Sequence, residues 1–190
     1  MFEFCENNID SDTCVVLLHG FGASKEDLLP MQGIFTGAKV ISYQAPIDLS
    51  QQGYMGGYAW FSLDFTPQGI SYDEAEAESI LLDLYKVIDA QRQKFSKLIL
   101  CGFSQGCILT HALLLRYPGL LDGAIGLSGR YSDFIFADAE SKHLVDLPLF
   151  ISHGSQDDVI PVALGQKIID FYKNTTVDLQ AKIYPMAHDI

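Results

Sequence analysis

The chain is poor in positive charge: 12 lysines and arginines stand against 24 aspartates and glutamates, for a formal net charge of −12 over 190 residues. Such a balance repels phosphate backbones and anionic lipid surfaces, so nucleic acid is excluded as an expected partner. No apolar run approaches the roughly 20 residues that span a bilayer. The opening Met1-Phe2-Glu3-Phe4-Cys5-Glu6 also lacks the basic flank and apolar centre of a signal peptide. A cytoplasmic protein without stable membrane insertion is therefore expected. The four cysteines include no C-x-x-C pair. Three of them lie in or beside apolar segments, so reduced core thiols are expected rather than disulfides or a zinc site. No internal repeat, low-complexity tract or Gly/Pro/Ser-rich linker divides the chain. With 48% hydrophobic residues, residues 1–190 are expected to form one domain with a substantial core.

Short apolar runs of β character alternate with longer helical ones, the signature of βαβ units and a mostly parallel sheet. Strands are expected at Cys14 to Leu18, Lys39 to Tyr43, Lys97 to Cys101, Gly123 to Leu127, Leu149 to Ser152 and Leu179 to Tyr184. Several are apolar almost throughout, as strands covered on both faces should be. A helix is expected from Ser71 to about Phe95, with Ser71 and Glu74 as a capping box and Ile80, Leu84, Val87 and Ile88 at helical spacing. Others are expected from about Gln105 to Tyr117 and from Pro161 onward. Residues 45–69, with an aromatic cluster at Tyr54, Tyr58, Trp60, Phe61 and Phe65, and residues 129–147, with Phe134-Ile135-Phe136, fit neither pattern. Long irregular segments in a compact domain tend to carry function, so Trp60, Phe61 and Phe134 are candidate substrate contacts.

Gly102-Phe103-Ser104-Gln105-Gly106 is a G-x-S-x-G pattern, which carries little weight alone. Here it follows the apolar run Lys97 to Cys101 and precedes a helical segment, the strand-to-helix turn that an exposed serine nucleophile needs. Small residues two positions either side of Ser104 let the chain turn sharply, and the helix aims free N–H groups at developing negative charge. Gly126-Leu127-Ser128-Gly129 resembles the pattern but continues into Arg130 where the second glycine should be.

A serine hydroxyl needs a base, and the base needs an acid to orient it. The expected chain order for this fold is Ser, then Asp or Glu, then His. His111 falls inside the helix after Ser104, and His143 lies in the long loop. His188 follows the last strand, so it is the expected base. For the acid, His153-Gly154-Ser155-Gln156-Asp157-Asp158 leaves the strand ending at Ser152, and either Asp157 or Asp158 qualifies. Two backbone donors are expected to form an oxyanion hole: the N–H of Gln105, and that of Phe21 in Leu18-His19-Gly20-Phe21-Gly22, where flanking glycines allow close approach. His19 is read as a brace for that loop.

These residues, with Ala45-Pro46-Ile47, Ala59-Trp60-Phe61, Leu127-Ser128-Gly129 and Met186-Ala187-His188, resemble the carboxylesterase, lysophospholipase and acyl-protein thioesterase family from residue 15 onward. The resemblance implies an α/β-hydrolase fold without a cap domain, hydrolysis of esters, lysophospholipids or acyl thioesters through an acyl-serine, and no cofactor or metal. It favours Asp157 over Asp158, maps the oxyanion donors to Phe21 and Gln105, and implies that a homodimer can form. The family's sheet is closed by a helix after the catalytic histidine, whereas Ile190 stands two residues beyond His188. A missing C-terminal helix and a weakly anchored histidine loop are therefore expected. Two other readings fit the residues less well: a hydrolase of small polar esters or lactones, and a hydrolase-like binding module with little turnover.

Overall fold

The computed structural model describes residues 2–66, 69–137, 139 and 144–190; His143 lies outside them. Its main sheet has seven strands: β1 (Phe4–Glu6), β2 (Thr13–Leu18), β3 (Lys39–Tyr43), β8 (Lys97–Phe103), β9 (Gly123–Leu127), β10 (Pro148–Gly154) and β11 (Asp178–Tyr184). Two small hairpins, β4 (Ile47–Asp48) with β5 (Tyr58–Ala59) and β6 (Asp64–Thr66) with β7 (Gly69–Ser71), fill the interval before α1 (Glu74–Arg92). The other helices are α2 (Gln105–Arg116), the single turn α3 (Asp133–Phe136) and α4 (Val162–Lys173).

Spatial order in the sheet is β1-β3-β2-β8-β9-β10-β11, and every pairing is parallel except β1 with β3. All six strands expected from the apolar runs are present, each within two residues of its expected ends. β1 is the addition, a three-residue strand too short to show a pattern.

The central strands are buried on both faces. Along β2, Cys14, Val16 and Leu18 join Leu84, Ile88, Leu109, Leu113 and Ile168 from α1, α2 and α4 in one core. Val15 and Leu17 join Leu28, Val40, Cys101 and Leu127 on the opposite face. Helix α2 crosses the middle of the larger core, and its first eleven residues are buried. Among the described residues, no helix is long and apolar enough to cross a membrane.

Two local expectations are corrected. The cap of α1 is Asp73, whose carboxylate accepts from the N–H groups of Ala75 and Glu76 at 2.8 and 3.2 Å. Ser71 is instead a strand residue opposite Asp64. A carboxylate adjoining the first turn satisfies two free donors and the helix dipole together, so it outcompetes a hydroxyl two residues earlier. Helix α4 begins at Val162, with Pro161 one position outside it.

The turn from β8 into α2 is tightly packed against backbone. A Cβ on Gly106 would lie 2.1 Å from the carbonyl oxygen of Leu18, and one on Gly102 would lie 2.2 Å from that of Gly106. Both neighbours are backbone and cannot yield. Gly33, by contrast, has open space around it. Gly106→Ala is therefore expected to cost more than the ~1–3 kcal/mol typical of overpacking, while Gly33→Ala stays within about 0.5 kcal/mol of wild type, both read from urea unfolding. The thiols give an independent check. Cys14, Cys101 and Cys107 are at most 1% exposed, burial pushes those of Cys14 and Cys101 up to about 12, and Cys5 alone is part-exposed. One thiol per chain should react with a disulfide reagent under native conditions and four in denaturant.

Candidate active site

Ser104 occupies the position just before α2 with φ 52° and ψ −110°, a conformation that costs a non-glycine residue about 1–3 kcal/mol and persists only where the surroundings over-determine it. Its N–H is held by the carbonyl of Leu127 on the neighbouring strand at 2.9 Å. Its carbonyl accepts from the N–H groups of Cys107 and Ile108 at 3.1 and 3.3 Å. The side chain makes no cap bond to the helix, which leaves Oγ pointing outward.

Three groups meet there. His188 Nε2 stands 2.9 Å from Ser104 Oγ, and His188 Nδ1 stands 2.7 Å from Asp157 Oδ2. With Asp157 as carboxylate, Nδ1 carries the proton and donates to it. The Nε2 lone pair is then directed at the serine hydroxyl. The Asp157 side chain is fully buried, while Asp158 is exposed, so the structure separates the two acids that the residue pattern left open.

Asp157 is itself oriented on both oxygens. Oδ1 accepts from the N–H groups of Val159 and Ile160 at 3.0 and 2.7 Å. Oδ2 lies 3.3 Å from Nε2 of the buried His153, which donates to the carbonyl of Ile160 at 2.8 Å. A second histidine thus sits on the far side of the carboxylate, a contact the residue pattern does not announce.

The loop carrying His188 is well tied, contrary to expectation. Ser155 N–H donates to the Tyr184 carbonyl at 2.7 Å, and Gln156 N–H donates to that of Met186 at 3.0 Å. Ser128 Oγ donates to the carbonyl of Asp189 at 2.9 Å. Gly154 lets the loop pass closely, since a Cβ there would lie 2.3 Å from the carbonyl oxygens of Met186 and Ala187. The Phe103 ring lies against the imidazole at 5.0 Å between centroids.

The loop holding Phe21 abuts Ser104, because a Cβ on Gly20 would come within 3.2 Å of Ser104 Cβ. His19 braces it as expected: Nδ1 donates to the Gly20 carbonyl at 2.7 Å and Nε2 accepts from Ala45 N–H at 3.1 Å. Burial lowers the basicity of this imidazole and keeps it neutral.

Ser104, Gln105, Phe21 and His188 open into one cavity of about 250 Å³. Its walls are Leu63, Phe65, Ile70 and Tyr72 from the β6–β7 hairpin and its flanks, Ile108 from α2, Val159 and Ile160, with Arg130 at one side. Of these, only Phe65 belongs to the aromatic cluster visible in the sequence; the others carry no local signal because the hairpin, not a motif, brings them in.

Trp60, Phe61 and Phe134 do not line this cavity. Trp60 and Phe61 are fully buried. The indole N–H of Trp60 donates to the His19 carbonyl at 2.9 Å, and the side chain of Gln105 pins both residues: Oε1 accepts from Trp60 N–H at 2.9 Å and Nε2 donates to the Phe61 carbonyl at 2.7 Å. Phe134 packs beneath the Arg116 guanidinium at 4.5 Å and hands its carbonyl to the same side chain. Trp60 and Phe61 thus bury their aromatic area in the core behind the site, while Phe134 is part-buried beneath Arg116.

Residues 3–190 match the phospholipase/carboxylesterase family model. Carboxylesterase SOBER1 of Arabidopsis thaliana is 28% identical to this chain, over 94% of this chain and 84% of its own length. Acyl-protein thioesterase 1 of Saccharomyces cerevisiae is 30% identical over 68% of this chain and 61% of its own. The crystal structure of SOBER1 superposes with a TM-score of 0.75 at 27% identity, covering 94% of this chain and 91% of that one. The strand order, the strained serine between β8 and α2, and these likenesses lead to one conclusion: the chain belongs to the phospholipase/carboxylesterase family and has the α/β-hydrolase fold.

Proposed function

We propose that the protein hydrolyses carboxylic esters or acyl thioesters through an acyl-serine intermediate, with Ser104 as nucleophile, His188 as base and Asp157 as the acid that orients it. The unbroken relay from Ser104 Oγ through His188 to Asp157, at 2.9 and 2.7 Å, carries this reading.

As Oγ attacks the substrate carbonyl, its proton passes to His188 Nε2, and the imidazolium so formed is stabilised by the Asp157 carboxylate. Negative charge moves to the former carbonyl oxygen, where the N–H groups of Phe21 and Gln105 are assigned as donors. Collapse breaks the bond to the alcohol or thiol, which leaves with the proton from His188. Water then loses a proton to His188 and attacks the acyl-serine, releasing the acid and restoring Ser104. No step requires a group beyond these residues and water.

The cavity of about 250 Å³ falls below the roughly 300–1,000 Å³ of pockets that enclose drug-sized ligands, which favours short over long acyl groups. Names borne by relatives, carboxylesterase and acyl-protein thioesterase, support the ester and thioester classes alike.

A fluorophosphonate probe should label the wild type and fail on Ser104→Ala. Asp157→Asn should lower kcat by about 10³–10⁴, the cost of a wrongly held histidine tautomer, whereas Asp158→Asn should stay near wild type. On p-nitrophenyl esters, kcat/KM should be higher for short acyl groups than for palmitate. No labelling of the wild type, or equal labelling of Ser104→Ala, would overturn the assignment; a maximum at palmitate would overturn the chain-length reading alone.

A further inference from the structure

The chain has three arginines. Arg92 is paired with Asp122 and Arg116 with Glu78. Arg130 has no carboxylate partner among the described residues, although the protein carries twice as many acidic as basic side chains. Its Nη1 donates to the carbonyl of Ile70, and its Nε is buried without a hydrogen-bond partner.

Arg130 lines the cavity that holds Ser104 and His188, and most of the other lining residues are apolar. Among the described residues, the carboxylate at the site, Asp157, is engaged by His188, His153 and two backbone donors. A cation with unspent donors beside apolar surface is costly unless something anionic completes it. The guanidinium fork matches the two oxygens of a carboxylate, and the apolar walls strengthen the attraction by keeping water out. Residue 130 is also where the serine-glycine pattern at Gly126 to Gly129 departs from that around Ser104. Ser128 of this second turn has φ 47° and spends its hydroxyl on the His188 loop, so the turn braces the base and presents a cation from one short segment.

We propose that Arg130 is a specificity residue that binds a free carboxylate on the substrate, so that the preferred substrates are small esters or thioesters bearing such a group. This rests on the reading of Ser104 as nucleophile and names the substrate class for that site.

The test uses two matched pairs of esters. In one, p-nitrophenyl hydrogen glutarate against p-nitrophenyl methyl glutarate, the carboxylate is on the acyl side. In the other, the butyrate ester of 4-hydroxybenzoate against that of its methyl ester, it is on the leaving group. In at least one pair the wild type should favour the anionic member by about tenfold or more in kcat/KM, as expected for hydrogen bonds to a charged group. Arg130→Gln should bring that ratio to about one or below, and Arg130→Lys should leave it in between. A role confined to bracing the Ile70 carbonyl would change both members of a pair alike. A wild-type ratio of one or less in both pairs overturns the proposal, and so does an unchanged ratio in Arg130→Gln. If that variant does not fold, the wild-type ratio decides alone. If no ester is hydrolysed and Ser104 is not labelled, the mechanism has failed. Calorimetric titration of glutarate into Ser104→Ala then decides the arginine's role: saturable binding lost when Arg130→Gln is added supports it, and no binding, or binding unchanged by Arg130→Gln, overturns it.

Discussion

The site depends on a backbone contact that no side chain makes. Gly106 lies so close to the carbonyl of Leu18 that a methyl group there would sit 2.1 Å from its oxygen, and this closeness lets α2 start directly against β2. Ser104 is forced to φ 52° as a result, with its hydroxyl lifted off the sheet and its N–H locked to β9. The strain, about 1–3 kcal/mol, is offset by the burial of α2 in the middle of the core. The same contact seats the loop before Phe21 beside Ser104, so the proposed nucleophile and the proposed oxyanion donors are placed by one feature.

Around that turn the buried polar groups are spent on holding loops in place. The Gln105 side chain fixes the chain at Trp60 and Phe61, His19 fixes the glycine loop, Ser128 fixes the end of the His188 loop, and His153 fixes Asp157. Each carries two or more partners or lies on strand ends that cannot move independently of the sheet. The site is therefore organised before substrate arrives, the condition under which fixed dipoles stabilise a transition state without reorganising.

The sheet was legible because buried parallel strands are apolar on both faces, and β2, β3, β8 and β9 are short enough for turns to bracket them. Ser104, His188 and an acid at either Asp157 or Asp158 are legible because their chain order and places at strand ends follow from what the proposed chemistry demands. The choice of Asp157 over Asp158 rests on family resemblance. Its physical reason, one side chain turned inward against two backbone N–H groups and the other left in water, exists only in three dimensions. The substrate walls were not legible. Composition marks Trp60 and Phe61 as aromatic without saying which way they face, and Leu63, Ile70 and Tyr72 reach the cavity only because β6 and β7 pair. Arg130 was visible as a mismatch in a decoy pattern, yet its place in the cavity depends on the turn after β9.

Acyl transfer to Ser104 is the event on which the proposed chemistry turns. Mixing the protein with a short p-nitrophenyl ester, quenching in acid within milliseconds to seconds and weighing the intact chain should show the mass of one acyl group. Peptide mapping should place it on the segment containing Ser104, and a matching burst of nitrophenolate should accompany it. Steady turnover with no acylated chain at any time, or an acyl group found on another residue, would contradict the account.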